Sequence, residues 1–279
     1  MGSAAATELR LFPSEFMGDA ILTGTSTMPA MERSSPRRAN INGGHKHRRR
    51  TNRHNGLAYA LWTPDEPAPW PGVVVVHGAG SRKENHADFA RLATANGWAA
   101  LTFDLPGHGE SEGEMSGGAV EDVISMAELL AAHGGVDESR IALRGSSLGG
   151  FLAICAASAA PEIAGVIAIC PASEDHLARG VRQGRFEMRV GDPLDLEAWL
   201  MAQDVGDAVE RIAGRPLILM HAEGDTQIPS DHSEALYDRA GEPRKLVIAP
   251  GGAHTTVQHD PELQGMALRW LERELARVR

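Results

Sequence analysis

The sequence predicts an α/β protein: a mostly parallel, doubly wound sheet with helices on both faces and a short helical lid insertion. Three observations lead there. From Leu57 onward, strand-like and helix-like segments alternate strictly, which calls for right-handed βαβ crossovers. Segment 72–77 is a continuous apolar run rich in Val, the pattern of a strand buried on both faces of a parallel sheet. The stretch Gly145-Ser146-Ser147-Leu148-Gly149-Gly150 joins a strand pattern directly to a helix pattern.

Taken in order, 57–62 reads as a strand and 64–71 as a proline-rich loop, followed by the buried strand 72–77. Residues 86–96 carry a helical period that stops at Gly97, and 99–103 is the next buried strand. Residues 118–133 form an amphipathic helix ending at Gly134, 141–144 a strand, and 147–160 a helix of small and apolar residues. Strands follow at 163–170, 217–220 and 245–249, with helices at 231–240 and 261–277. Between them, about 173–213 is an insertion of helical character, too short for a second domain and suited to a lid.

Residues 1–56 differ from the rest. From Gly24 to Gly44 they are rich in Ser, Gly, Pro and Asn with no helical or strand period, and the basic run His45-Lys46-His47-Arg48-Arg49-Arg50 follows, then Arg53 and His54. Such a stretch buries too little apolar surface to offset its ordering entropy, so 1–56 is expected to be a mostly disordered basic extension and 57–279 the folded domain. The net charge of −10 divides unevenly. Residues 1–56 hold nine basic and four acidic side chains, and 57–279 hold 18 and 33, a balance of −15. An acidic body argues against nucleic acid as a ligand. No apolar run is long enough to span a bilayer, and Glu8, Arg10 and Glu15 interrupt the place of a signal-peptide core. Two cysteines exclude a disulfide scaffold, and Cys155 and Cys170 lie in apolar stretches as buried thiols. A cytoplasmic protein without membrane contact is the expectation; oligomeric state stays open.

Ligands of open α/β sheets bind beyond the carboxyl ends of the strands, so the residues following each strand carry the chemistry. Gly-Ser-Ser-Leu-Gly at 145–149 matches Gly-x-Ser-x-Gly in its required strand–turn–helix setting, which makes Ser147 the candidate nucleophile. Ser146 is the competing hydroxyl. His77-Gly78-Ala79-Gly80 follows the buried strand; the N–H of Ala79, with that of Leu148, is the candidate oxyanion hole. His77 is read as holding its loop by hydrogen bonds. After strand 217–220 comes His221-Ala222-Glu223-Gly224-Asp225, with Asp225 the candidate carboxylate and Glu223 the runner-up. After strand 245–249, Pro250-Gly251-Gly252-Ala253-His254 presents His254 as the candidate base, with His259 the competitor. The other histidines, His86 and His108 among them, are read as surface or loop residues.

The chain order Ser147, Asp225, His254 and the segment Asp104-Leu105-Pro106-Gly107-His108-Gly109-Glu110-Ser111 resemble the α/β-hydrolase superfamily, and within it Gly224-Asp225-Thr226-Gln227-Ile228-Pro229 and the short insertion resemble the dienelactone-hydrolase-like and prolyl-oligopeptidase-like esterases and peptidases. The resemblance runs from Leu57 to the C-terminus. It implies an α/β-hydrolase fold and a serine hydrolase acting through an acyl-enzyme on small-molecule carboxylic esters of short to medium acyl chains, with no cofactor and no metal. A peptidase or amidase of the same fold, or a cofactor-free perhydrolase, is the alternative. Arg179, Arg182, Arg185 and Arg189 of the insertion form either an anion-recognising lid or a solvated face.

Overall fold

The computed structural model describes residues 48–277. Eight strands form one sheet in the order β1-β2-β4-β3-β5-β6-β7-β8. The strands are β1 Arg48–His54, β2 Leu57–Thr63, β3 Trp70–Val76, β4 Ala99–Phe103, β5 Val136–Ser146, β6 Ile163–Ile169, β7 Leu217–Ala222 and β8 Arg244–Ala249. From β4 to β8 every pairing is parallel, whereas β1 on β2 and β2 on β4 are antiparallel. The helices are α1 Ala87–Ala95, α2 Ala119–Ala131, α3 Leu148–Ala159, α4 Glu174–Arg182, α5 Pro193–Met201, α6 Val205–Arg211, α7 Asp231–Arg239, the single turn α8 Thr256–His259, and α9 Pro261–Arg277. This is the α/β-hydrolase architecture expected from the sequence.

Alternation along the strands divides the core into two layers. Val74 and Val76 of β3, Leu143 of β5 and Leu219 of β7 pack under α2, α3 and the insertion. Val73 and Val75, Ala142, and Ile218 and Met220 pack under α1 and α9. Val73 to Val76 are all within 1% of complete burial, which accounts for the unbroken apolar run that marked this strand in the sequence.

The start of the ordered domain differs from expectation. Residues 48–54, assigned to the unstructured extension, form β1 along the edge of the sheet. Asn55 and Gly56 have φ of 48° and 80°, and His54 pairs with Leu57. They therefore form the two-residue Asn-Gly hairpin turn whose twist matches its flanking strands. Backbone pairing, not apolar burial, holds this strand: Thr51, Asn52 and Arg53 are exposed. The expectations for residues 1–47 lie outside the described residues.

The insertion between β6 and β7 consists of α4, α5 and α6. Each helix starts on a side-chain cap: Ser173 accepts from the N–H of His176, Asp192 from Leu194 and Asp204 from Asp207. The Asp204 cap separates α5 from α6. No helix among the described residues is long and apolar enough to cross a membrane.

Candidate active site

β3 lies between β4 and β5, so the chain direction across the sheet reverses there, and a crevice opens at the carboxyl ends of β3 and β5. Both loops that leave these ends are the ones singled out by sequence.

Ser147 joins β5 to α3 with φ 55° and ψ −120°, a conformation a non-glycine residue adopts only when its surroundings enforce it. The flanking glycines do so. A Cβ on Gly145 would lie 2.0 Å from the Gly149 carbonyl oxygen, and one on Gly149 would lie 2.1 Å from that of Val76. The turn is pinned on both sides: Ser147 N–H donates to Ile169 O at 3.0 Å, and its carbonyl accepts from Gly150, Phe151 and Ala172. Ser146 is buried with its hydroxyl unpaired among the described residues. It faces the interior, while Ser147 is partly exposed.

The loop after β3 passes directly over this turn. A Cβ on Gly78 would meet Ser147 Cβ at 3.3 Å and Oγ at 3.9 Å. Ser81 N–H donates to Gly78 O at 3.1 Å, closing a turn around Ala79, with Gly80 at φ 71°. His77, wholly buried, holds this loop as expected. Its Nδ1 is 2.7 Å from Gly78 O, and its Nε2 accepts from the N–H of Leu105 at 2.9 Å. Those partners assign the ring proton to Nδ1. Burial, reinforced by His108, lowers the imidazole to about 4, so the anchor stays neutral. Leu148 opens α3, where the first N–H groups have no partner within the helix.

β7 and β8 supply the other two candidates. Asp225 Oδ2 lies 2.6 Å from His254 Nδ1, and Oδ1 accepts from the N–H groups of Gln227 and Ile228 at 2.8 and 3.0 Å. Burial pushes the carboxyl up, but the bonds from His254, Ile228 and Gln227 outweigh it and hold the group below its ordinary value. The two loops are knitted together: Gly224 N–H donates to Gly251 O at 2.9 Å, and Gly251 N–H donates to Glu223 Oε2 at 3.3 Å. Glu223 thus supports the histidine loop and does not face His254 Nδ1. His259 pairs instead with Asp88 at 2.9 Å.

Two residues join the site that sequence reasoning gave no role. His221, fully buried, sits 3.3 Å from Asp225 Oδ2, with Nε2 2.9 Å from Ile228 O and Nδ1 2.7 Å from Ser233 Oγ. Burial lowers its pKa. Cys170, at φ 42°, also adjoins Asp225, and burial lifts its thiol to about 12. Cys170, His221 and Asp225 bring potential metal-ligand atoms within 4.8 Å of one another. A cation there would have to displace the proton that His221 Nε2 donates to Ile228 O and share Oδ2 with His254, so hydrogen bonding accounts for the cluster. His86 and His108, read as surface or loop residues, are buried at 1% and 3% exposure, although His108 does lie in the loop after β4; their ring nitrogens bond Arg144 and the Pro106 carbonyl.

The insertion covers this end. An apolar pocket begins at Leu148 and runs between Met115, Leu152, Phe186, Met188 and Trp199. A larger, polar cavity of about 500 Å³ lies on the other side of the Gly80 turn, lined by Arg82, Asn85, His108 and Glu187. Of the four lid arginines, Arg182 forks onto Glu197, Arg189 donates to the carbonyls of Ser111 and Gly113, and Arg179 donates to that of Asp175. His176 of α4 is lowered by burial and then by Arg185, Arg179 and His254, so α4 and the candidate histidine share one electrostatic neighbourhood.

The sheet order and the loops at its carboxyl edge are those of the α/β-hydrolase fold. Comparison with known proteins agrees: residues 68–190 match the family model described as serine aminopeptidase, S33. The match includes the His77 loop and the Ser147 turn and ends before Asp225 and His254. An uncharacterized protein of Mycobacterium tuberculosis is 29% identical over 196 residues, covering 69% of this chain. The chain spans 64% of that relative's length. The 2,6-dihydropseudooxynicotine hydrolase of Paenarthrobacter nicotinovorans is 34% identical over 106 residues, 37% of this chain and 29% of that one. Among solved structures, the α/β hydrolase GrgF of Penicillium superposes with a TM-score of 0.69 at 19% identity, over 82% of this chain and 99% of that one. The chain thus shares the α/β-hydrolase fold, and the family match covers the part of it that carries the His77 loop and the Ser147 turn.

Proposed function

We propose that this protein is a serine hydrolase of small-molecule carboxylic esters with short to medium acyl chains, in which Ser147, His254 and Asp225 act as nucleophile, base and orienting carboxylate. The observation that carries this reading is the 2.6 Å contact between His254 Nδ1 and Asp225 Oδ2, on loops leaving the same end of the sheet as the strained Ser147 turn. With Nδ1–H donated to Asp225, the lone pair of Nε2 is free to take a proton.

In the proposed reaction, Ser147 Oγ attacks the ester carbonyl carbon while His254 Nε2 takes the hydroxyl proton. The N–H groups of Ala79 and Leu148 receive the negative oxygen. Collapse expels the alcohol, which takes the proton from His254 and leaves an acyl-serine. Water, deprotonated by His254, then releases the acid and restores Ser147. None of these steps draws on a metal or an organic cofactor.

Replacing Ser147 with Ala tests the reading: hydrolysis of p-nitrophenyl acetate and labelling by a fluorophosphonate are expected to vanish while the fold persists. Labelling that survives the substitution removes Ser147 from the nucleophile role. Because the matching family is described by its aminopeptidase activity, the same protein is assayed on an aminoacyl p-nitroanilide. Faster turnover of the anilide than of the ester replaces the esterase reading with a peptidase one.

A further inference from the structure

Arg144, immediately before Gly145 in β5, is completely buried. Its guanidinium points into the α1/α9 layer and reaches three segments. Nη2 donates to the carbonyl of Gln258 at 2.8 Å; Gln258 lies in α8, the turn that follows His254. Nη1 donates to His86 Nδ1 at 2.9 Å. A guanidinium only donates, so the His86 proton sits on Nε2, which faces Ser81 Oγ at 3.4 Å. Ser81 is the residue whose N–H closes the turn around Ala79. The guanidinium carbon also lies 5.0 Å from the centre of the Phe89 ring.

This is a poor way to stabilise a fold. Among the described residues no carboxylate approaches Arg144 within ion-pair distance, and its Nε has no partner. Burial lowers the group to about 10, with Asp88 opposing from a distance. A buried charge without a counterion costs free energy, and an apolar side chain of similar length avoids that cost. What the arginine supplies, and an apolar side chain does not, is a rigid planar fork whose donors point in fixed directions. One prong is fixed to the histidine loop, the other through His86 to the oxyanion turn, and its backbone is the strand that ends in the nucleophile turn.

We propose that Arg144 is a positioning residue: a buried guanidinium that sets the histidine loop and the oxyanion turn in register with Ser147. The proposal rests on the triad reading above. Misplacement of reacting groups by about 1 Å costs on the order of 10²-fold in rate, which is the scale a loosened loop reaches without unfolding.

The test compares the full-length protein with Arg144→Met and Arg144→Lys, measuring kcat and KM for p-nitrophenyl acetate, the rate of fluorophosphonate labelling, and Tm. In Arg144→Met, kcat and labelling rate are expected to fall by about 10- to 100-fold, with KM within about twofold of wild type and Tm unchanged or higher. Arg144→Lys, which keeps the charge and one direction of donation, is expected to fall between; if the Met variant does not fold, the Lys variant decides on the same readouts. Unchanged kcat in the folded variants, or a lowered Tm with kcat intact, overturns the proposal. Failure of the triad reading is separate: it shows in wild type, as activity that survives Ser147→Ala.

Discussion

Gly149 of the Ser147 turn and Val76 at the end of β3 touch backbone to backbone: a Cβ on Gly149 would lie 2.1 Å from the Val76 carbonyl oxygen. This contact presses α3 onto β3 and brings the Ala79 turn beside Ser147. The obstacle is main chain in a central strand, so it cannot move aside as a side-chain tip does. Gly149→Ala is therefore expected to cost more than the roughly 1–3 kcal/mol of ordinary overpacking, read by urea unfolding, and to abolish ester turnover. Gly150→Ala makes a milder comparison, since its Cβ would meet Pro171 at 3.0 to 3.2 Å. Equal, small losses in both variants would contradict this account.

Lys83 and Asp104 form a buried ion pair beneath the same loops, Nζ to Oδ2 at 2.8 Å. Asp104 also accepts from the N–H groups of Lys83 and Glu110. Burial pushes this carboxyl up, but the bonds from Lys83 and Glu110 prevail and hold it below its ordinary 3.8. In unfolded chain it takes up a proton near that value, and in the native state only at lower pH. The pair's contribution is thus complete above the unfolded value and fades as pH falls through the native one. Asp104→Asn leaves Lys83 buried with only its outer partners Glu84 and Glu110 and is expected to cost about 3 kcal/mol at neutral pH. The gap between wild type and variant should narrow in urea titrations below pH 4. A gap that stays constant into strong acid would show that Asp104 is not the group responsible.

The two candidate carboxylates after β7 divide by geometry. Asp225 reaches His254 Nδ1, whereas Glu223 accepts from the Gly251 N–H. Asp225→Asn is expected to lower kcat by up to about 10⁴-fold, by disfavouring the working tautomer, with little change in KM. Glu223→Gln keeps an acceptor for Gly251 and should lower kcat by less than about tenfold, the scale of one weakened neutral hydrogen bond. Steady-state kinetics on one short ester decide it; a larger loss in the Glu223 variant reverses the assignment.

How much of this was legible in the sequence follows from which interactions are local. Strand Ala99–Phe103 and helix Pro261–Arg277 stand where periodicity and flanking glycine or proline placed them. The Ser147 turn was legible because its glycines answer a local steric demand. The meeting of Asp225 and His254 was legible because each follows a strand at the same end of the sheet. β1 was not, because composition across 1–56 outweighed the Asn55-Gly56 turn, a signal present in the sequence. The contacts of Arg144, His221 and Cys170 were not, because each depends on partners from other segments: Gln258, 114 positions from Arg144, carries no mark that its carbonyl will meet a guanidinium.

The apolar pocket at Leu148 sets the last expectation. It has about 10 Å³ of free volume, about the room a single water requires, so an acyl chain enters only if the lid side chains yield. Trp199 of α5 is the largest of them. It packs edge-on to Phe151 at 6.3 Å, and its ring would contact a Cβ on Gly117 at 2.7 Å. No smaller side chain fills that space, so Trp199→Ala is expected to open the pocket beside the Ser147 turn. On p-nitrophenyl esters from acetyl to dodecanoyl, the optimum should move to longer chains, with kcat/KM for the longest rising about tenfold or more. Each further methylene buried is worth at most about 0.8 kcal/mol. The substitution also removes core contact, at a cost of about 3 kcal/mol, so the panel is run at a temperature where unfolding curves show the variant folded. An unchanged chain-length profile in a folded variant would mean that the acyl chain lies elsewhere, with the polar cavity beyond Gly80 the next place to probe.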